Sequence, residues 1–255
     1  MRVRALVSYD GTDYSGYQRQ LDVPTVQETL ESTLAQVTQE SVTVLAAGRT
    51  DAGVHAVGQV IAFDTAWKHS VADLQRAMNA VLPPDVAVRG LEEVDAGFHP
   101  RYDARRRHYR YRVYDAPIRS PIGRRYSLHM PYPLDRDVME EAAGSLVGER
   151  DFATFGQPPE GEITVRRVYR ATWGREPCGC PVPSRAQREN SLLTFDIQAN
   201  AFLYRMVRSI VGTLLDVGQG RMSVSAFEEA LASCDRGRAG KTAEPQGLCL
   251  IRVDY

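Results

Sequence analysis

Val3, Ala5 and Val7 mark every second position across Arg2–Tyr9, the period-two pattern of a strand with one buried face. A polar, glycine-rich loop follows at residues 10–16. Thr25 then stands as a helix cap, with Glu28 three positions on completing a capping box and Val26, Leu30, Leu34 and Val37 supplying the buried stripe. Strands are expected at residues 42–47 and 57–63. Ser70 caps a second helix carrying Leu74, Met78 and Val81, which Pro83 and Pro84 close, and a fourth strand is expected at 86–94. The order β-α-β-β-α-β is the ferredoxin-like unit.

The pattern recurs without sequence identity. A strand at 108–114, a helix at 136–147, strands at 165–173 and 192–197, a helix from Leu203 and a last strand at 248–253 repeat it, with an added helix at Val224–Ser233. The expected class is therefore α+β, with two ferredoxin-like halves, residues 1–100 and 101–255. Their antiparallel sheets are expected to merge into one central sheet with helices on one side. Residues 175–190, rich in Pro, Cys, Arg and Gly, read as a flexible insertion. The strongest helical stripe places apolar residues at 203, 206, 207, 210, 211, 214 and 215. Arg205 and Arg208 interrupt it. Arg208, on the edge of the apolar face, is either a snorkelling side chain or one held to meet a buried carboxylate.

Between the second and third expected strands lies Gly48 to His55, read GRTDAGVH. Glycine permits turns that other residues resist, and loops on rigid scaffolds are where reactive groups concentrate. Arg49 and Asp51, two apart, point to the same side of an extended chain. An ordinary turn with a surface ion pair has the same composition, so these eight residues alone leave both readings open.

Charge adds a second candidate. The formal net charge is −1, but residues 101–125 hold nine arginines against Asp103 and Asp115, interleaved with Tyr102, Tyr109, Tyr111 and Tyr114. Arginine with aromatics suits phosphate contact and base stacking, so the cluster favours a nucleic-acid partner over a merely solvated surface. No apolar run approaches the roughly 18–20 residues of a membrane span, and the N-terminus lacks a signal-peptide core, so a cytoplasmic protein is expected. Cys178 and Cys180 lack the paired spacing of a zinc site, and they, Cys234 and Cys249 are all expected to be free thiols. Residues 237–242 contain Gly-Lys-Thr but not the four-residue glycine spacing or preceding strand of a phosphate-binding loop.

Taken together, YDGTDYSGYQRQ at 9–20, AGRTDAGVHAVGQV at 47–60, FHPRYDARRRHYRYRVY at 98–114, NAFLYRMVRSIVG at 200–212 and the closing strand resemble the TruA family of pseudouridine synthases nearly end to end. The resemblance implies that Asp51 is the nucleophile, that Tyr109 is the active-site tyrosine and that Arg208 is the basic residue accompanying the aspartate. It further implies that Arg49 assists base flipping. Arg101, Arg105, Arg106, Arg107 and Arg110 are then candidates for gripping RNA phosphates. The implied activity is isomerisation of uridine to pseudouridine in the anticodon stem-loop of tRNA, at uridines 38, 39 or 40, by a homodimer without metal or cofactor. Tyr17, Pro100, Tyr102 and residues 244–247 depart from the family pattern at positions bearing on substrate contacts.

The chemistry suits these residue types. A carboxylate is ionised near neutral pH and needs no partner base to act as a nucleophile. Attack at ribose C1′ or on the uracil ring would both serve. A tyrosine can stack on uracil and relay the proton lost from C5. The rival readings are a non-catalytic RNA-binding module of ferredoxin-like fold and a hydrolase that releases free uracil.

Overall fold

The alternation at Arg2–Tyr9 becomes strand β1 in the computed structural model, which describes residues 1–157, 161, 163–178 and 191–255. The chain forms two units, Met1–Arg105 together with Cys249–Tyr255, and Arg106–Leu248. The halves expected from sequence, 1–100 and 101–255, differ from these chiefly in the closing strand, which groups with the first unit.

In the first unit β1 buries Val3, Ala5, Val7 and Tyr9. Helix α1 (Val26–Thr38) starts where expected, with Thr25 accepting from the Glu28 backbone N–H at 3.4 Å. Leu30 and Leu34 on α1 are fully buried, each burial worth about 1.5–3 kcal/mol. After β2 (Leu45–Ala46) and β3 (His55–Asp64), Ser70 accepts from the Asp73 N–H at 3.1 Å and caps α2 (Val71–Val81); β4 (Val86–Glu93) completes the expected order.

β1 pairs antiparallel with both β3 and β4. The strand expected at 42–47 shrinks to two residues: just ahead of them the Val44 N–H donates to the Glu31 carboxylate at 3.0 Å and the Val44 carbonyl accepts from the Gln27 side chain at 3.3 Å, both on α1. β2 pairs with the C-terminal part of β3 (Leu45 with Ala62, Ala46 with Ile61). The N-terminal part of the strand is taken by β10 (Leu248–Asp254), with Cys249 opposite His55 and Leu250 opposite Ala56. β10 runs parallel to β3, which a distant segment can do and a tight hairpin cannot, so the sheet is mixed rather than purely antiparallel. β3 is buried on both faces along most of its length, as a central strand must be.

In the second unit β5 (Arg106–Tyr114), β9 (Ser191–Ala199), β8 (Val165–Pro177) and β7 (Gly148–Asp151) pair antiparallel in that order, and the short β6 (Leu128–His129) runs parallel to β5. Helices α3 (Arg136–Gly144), α4 (Met206–Gly218) and α5 (Val224–Ser233) belong to this unit. Its core includes Phe155 stacked on Phe227 at 5.7 Å and Trp173 against Phe195 at 5.0 Å. Helix α3 ends three residues earlier than expected, and the chain enters β7, a polar GERD segment without the alternation that announces a strand. Helix α4 begins at Met206 rather than Leu203 because Arg205 adopts a left-handed conformation (φ 58°) that breaks the helical path.

Of the proposed insertion at 175–190, Arg175 to Pro177 extend β8, Cys178 is described and residues 179–190, Cys180 included, lie outside the described residues. Cys178, Cys234 and Cys249 are free thiols. No helix among the described residues is long and apolar enough to cross a membrane.

Candidate active site

GRTDAGVH forms the connection between β2 and β3, and its two ends are tied to the strands it joins. The Ala47 N–H donates to the Val60 carbonyl at 2.8 Å, and the Gln59 side-chain amide donates to the Gly48 carbonyl at 2.8 Å. Along the loop Arg49 is exposed, Thr50 is buried and Asp51 is half-buried. The Val54 N–H donates to the Asp51 carbonyl at 3.1 Å and closes a turn directly after the carboxylate.

The glycine-rich segment at 10–17 is the bed on which this loop lies. The Tyr17 N–H donates to the Thr50 carbonyl at 3.0 Å, and the Gly53 N–H donates to the Tyr14 carbonyl at 3.3 Å. His55 Nδ1 accepts from the Gly11 N–H at 3.0 Å and lies 3.1 Å from Asp10 Oδ1. The approach is too close for side chains. A Cβ on Gly11 would fall 2.0 Å from the Val54 carbonyl oxygen, and one on Gly16, at φ 103°, would fall 3.0 Å from that of Thr50. Below the loop, Tyr9 Oη and Thr50 Oγ1 share a buried hydrogen bond of 2.8 Å.

Two further tyrosines brace the bed. Burial, with a hydrogen bond to Asp85 at 2.9 Å, pushes the Tyr14 hydroxyl up to about 12. Burial holds the Tyr17 hydroxyl well above its ordinary range, and that hydroxyl has no hydrogen-bond partner among the described residues. Tyr17 therefore contributes its ring, which lies 6.4 Å from that of Tyr9.

Asp51 and Arg49 lie in the first unit, Tyr109 and Arg208 in the second. Strand alternation sorts β5 into two faces: Arg107, Tyr109, Tyr111 and Val113 are buried, while His108, Arg110 and Arg112 take the other face. Tyr109 meets Phe202 edge-on at 5.1 Å, just ahead of α4. On α4 itself, Arg208 Nε donates to the Ala243 carbonyl at 2.8 Å, and the Ala243 N–H donates to the Arg208 carbonyl at 3.0 Å. Next along that segment, the Tyr111 hydroxyl donates to the Glu244 carbonyl at 2.7 Å. Burial raises the Tyr111 hydroxyl far above its usual range despite the positive charge of Arg208 nearby. Arg208 is half-buried, and a backbone carbonyl holds its guanidinium.

The arginines expected to grip RNA divide by environment. Arg101 lies over the ring of Tyr102 at 5.7 Å, and Tyr102 is 74% exposed; Arg106 lies over Tyr169 at 4.7 Å. Arg105 is exposed. Arg107 is buried, with Nη1 donating to the Asn200 carbonyl at 2.7 Å. Arg110 is engaged by Asp196 through Nε and Nη2 at 3.0 and 3.1 Å and by Glu176 at 2.8 Å. His108 joins the same carboxylate at 2.6 Å. Burial alone would raise Asp196, but the hydrogen bonds from His108 and Arg110 outweigh it and hold the carboxyl below its usual range. The interleaving of Arg and Tyr on β5 is thus a two-faced strand, and aromatic–arginine pairs at the surface come from Tyr102, Tyr169 and an unanticipated Tyr204–Arg205 pair at 4.9 Å. Among the described residues no three His, Cys, Asp or Glu side chains are grouped to hold a metal ion.

Comparison with known proteins agrees with the order of these blocks. The profile of a family described as tRNA pseudouridine synthase matches residues 5–103 and 142–255. The interval between them contains β5 and Tyr109, and full-length relatives span it. Proteins named tRNA pseudouridine synthase A from Brevibacillus brevis (strain 47) and Geobacillus sp. (strain WCH70) are each 42% identical over the whole of this chain and 99% and 98% of their own lengths. The protein of that name from Aeromonas hydrophila subsp. hydrophila is 42% identical over this whole chain and 90% of its own. With two stretches of the profile and several full-length relatives in agreement, the chain belongs to the tRNA pseudouridine synthase family.

Proposed function

We propose that this chain, an isomerase of the tRNA pseudouridine synthase family, converts uridine to pseudouridine in the anticodon arm of tRNA, at one or more of positions 38, 39 and 40, with Asp51 as its nucleophile. The observation that carries the proposal is the half-buried carboxylate at the head of a turn whose backbone is tied down on both sides of it. A loop so restrained holds a reacting group in place, which is where much of an enzyme's rate originates.

In the net reaction the N1–C1′ bond breaks, a C5–C1′ bond forms, C5 gives up its proton and N1 gains one. Asp51 holds the nucleotide covalently while the uracil turns. Tyr109 stacks on the ring and relays the C5 proton, and Arg208 supplies positive charge to the anionic species of the reaction. Arg49, exposed beside Asp51, takes the space of the flipped nucleotide. Arg101, Arg105 and Arg106 contact phosphates. Arg107 and Arg110 are instead engaged within the protein, by Asn200 and by Asp196 with Glu176. The proposal includes a cytoplasmic homodimer with one tRNA touching both subunits, an arrangement that sedimentation of the protein with and without tRNA would test.

The chemistry is tested by incubating the protein with tRNA tritiated at uridine C5. Tritium released to water without free base is the expected result. Free uracil would indicate the hydrolase instead, and neither product would leave only RNA binding.

A further inference from the structure

Nothing in the reaction calls on Tyr9 or Thr50 directly, yet they make a buried side-chain hydrogen bond beneath the catalytic loop. Thr50 is 7% exposed and Tyr9 4%. Tyr9 is the last residue of β1, and the pairing of β1 with β3 shifts register between Val7 and Tyr9. A bulge at that place re-aims the side chains beyond it. The hydroxyl of Tyr9 thereby reaches Thr50 Oγ1 at 2.8 Å across a sequence separation of 41 residues. On its other side Thr50 is held by its carbonyl, which accepts from the Tyr17 N–H at 3.0 Å, with Gly16 pressed against the same oxygen.

Thr50 therefore has its side chain and its carbonyl fixed by two different segments. The peptide unit held by the second of these contacts is the one that leads into Asp51. Rotation of that peptide would swing the carboxylate, and both contacts oppose it. We propose that Tyr9 and Thr50 are a positioning pair: their hydroxyl–hydroxyl bond sets the direction of the Asp51 carboxylate and so the rate of its attack, without touching the nucleotide. This rests on Asp51 being the nucleophile.

A bond whose purpose is only to hold the fold together would change stability and leave the rate of folded enzyme alone. A misaimed nucleophile instead lowers the rate at saturating enzyme, by about 10- to 100-fold for displacements near an ångström. Thr50→Val keeps the shape and removes the hydroxyl, Tyr9→Phe removes the partner, and Thr50→Ser restores an oxygen. The measurement is the single-turnover rate of tritium release from C5-tritiated tRNA with enzyme in excess, alongside tRNA affinity by filter binding and the melting temperature.

The expected result has four parts. Thr50→Val and Tyr9→Phe each slow the step about 10- to 100-fold. The double variant is no slower than the slower single one, because both remove the same bond. Thr50→Ser stays within about threefold of wild type, and tRNA affinity changes by less than about twofold in every variant, as loss of aim rather than of binding requires. Wild-type rates in both single variants, whatever their melting temperatures, would overturn the proposal, as would losses that multiply in the double variant. Asp51→Asn is the control for the reading beneath it. An inactive Asp51→Asn beside fully active Thr50→Val refutes the positioning pair alone, whereas an active Asp51→Asn refutes the nucleophile and the pair together.

Discussion

Tyr17 shows how little a residue's type says about which of its atoms matters. Its ring is 2% exposed and packs beside Tyr9, but its hydroxyl is buried without a partner among the described residues. A buried polar atom left unpaired costs stability, so Tyr17→Phe is expected to be neutral or stabilising by up to about 1 kcal/mol in urea denaturation. A loss beyond about 1 kcal/mol would mean that the hydroxyl has a bond worth keeping. The GRTDAGVH loop was legible at this scale because glycines bracketing an exposed-type acid and base are a local signal. Its bed was not. The contacts from Gly11, Gly16, Tyr9 and Tyr14 to residues 50–55 join segments some forty residues apart, and no periodicity or spacing in either segment announces them.

Elements were legible where a cap or a stripe marks them. Thr25 and Ser70 begin their helices as expected because each side chain takes up a backbone N–H that the first turn leaves unpaired. What escaped has physical causes. β2 is short because side chains of α1, Glu31 and Gln27, take the backbone N–H and carbonyl of Val44 just ahead of it, and β7 is polar throughout because it pairs only with β8. The HYRYRVY of β5 was read as an arginine–tyrosine cluster although its alternation already places Tyr109 and Tyr111 on the face opposite Arg110 and Arg112.

The arginine face of β5 carries a prediction of its own. Asp196 is held below the usual carboxylate range, so its ionised form stabilises the folded state. That contribution is complete above about pH 4, the unfolded value, and is lost as pH falls through the lower folded one. Asp196→Asn should therefore cost about 1–3 kcal/mol at pH 7, since the hydrogen bonds to a charged acceptor and the pairing with Arg110 are weakened. The difference from wild type should shrink as pH drops below 4. Equal stabilities at pH 7 would show the network to be idle.

On the scale of the whole molecule, the net charge of −1 gives no hint of a polyanion partner, whereas local exposure does. Arg101 and Arg106 each lie over an exposed tyrosine, the pairing suited to a phosphate beside an unstacked base. If these residues and Arg105 meet phosphates, tRNA affinity falls steeply with salt, by about 0.7–0.9 log units per log unit of salt for each contact. Replacing all three with Gln should flatten that slope by about two to three units, read from binding isotherms at several salt concentrations. An unchanged slope would place RNA elsewhere on the surface. Agreement with relatives along their full length makes the family secure.

The account turns on one carboxylate, and the most direct measurement is the single-turnover rate of pseudouridine formation by Asp51→Ala, shown by circular dichroism and tRNA binding to be folded and competent to bind. It predicts no product on a timescale at least about 10⁴-fold longer than wild type needs, as loss of a covalent nucleophile requires. Product formed at the wild-type rate would contradict it.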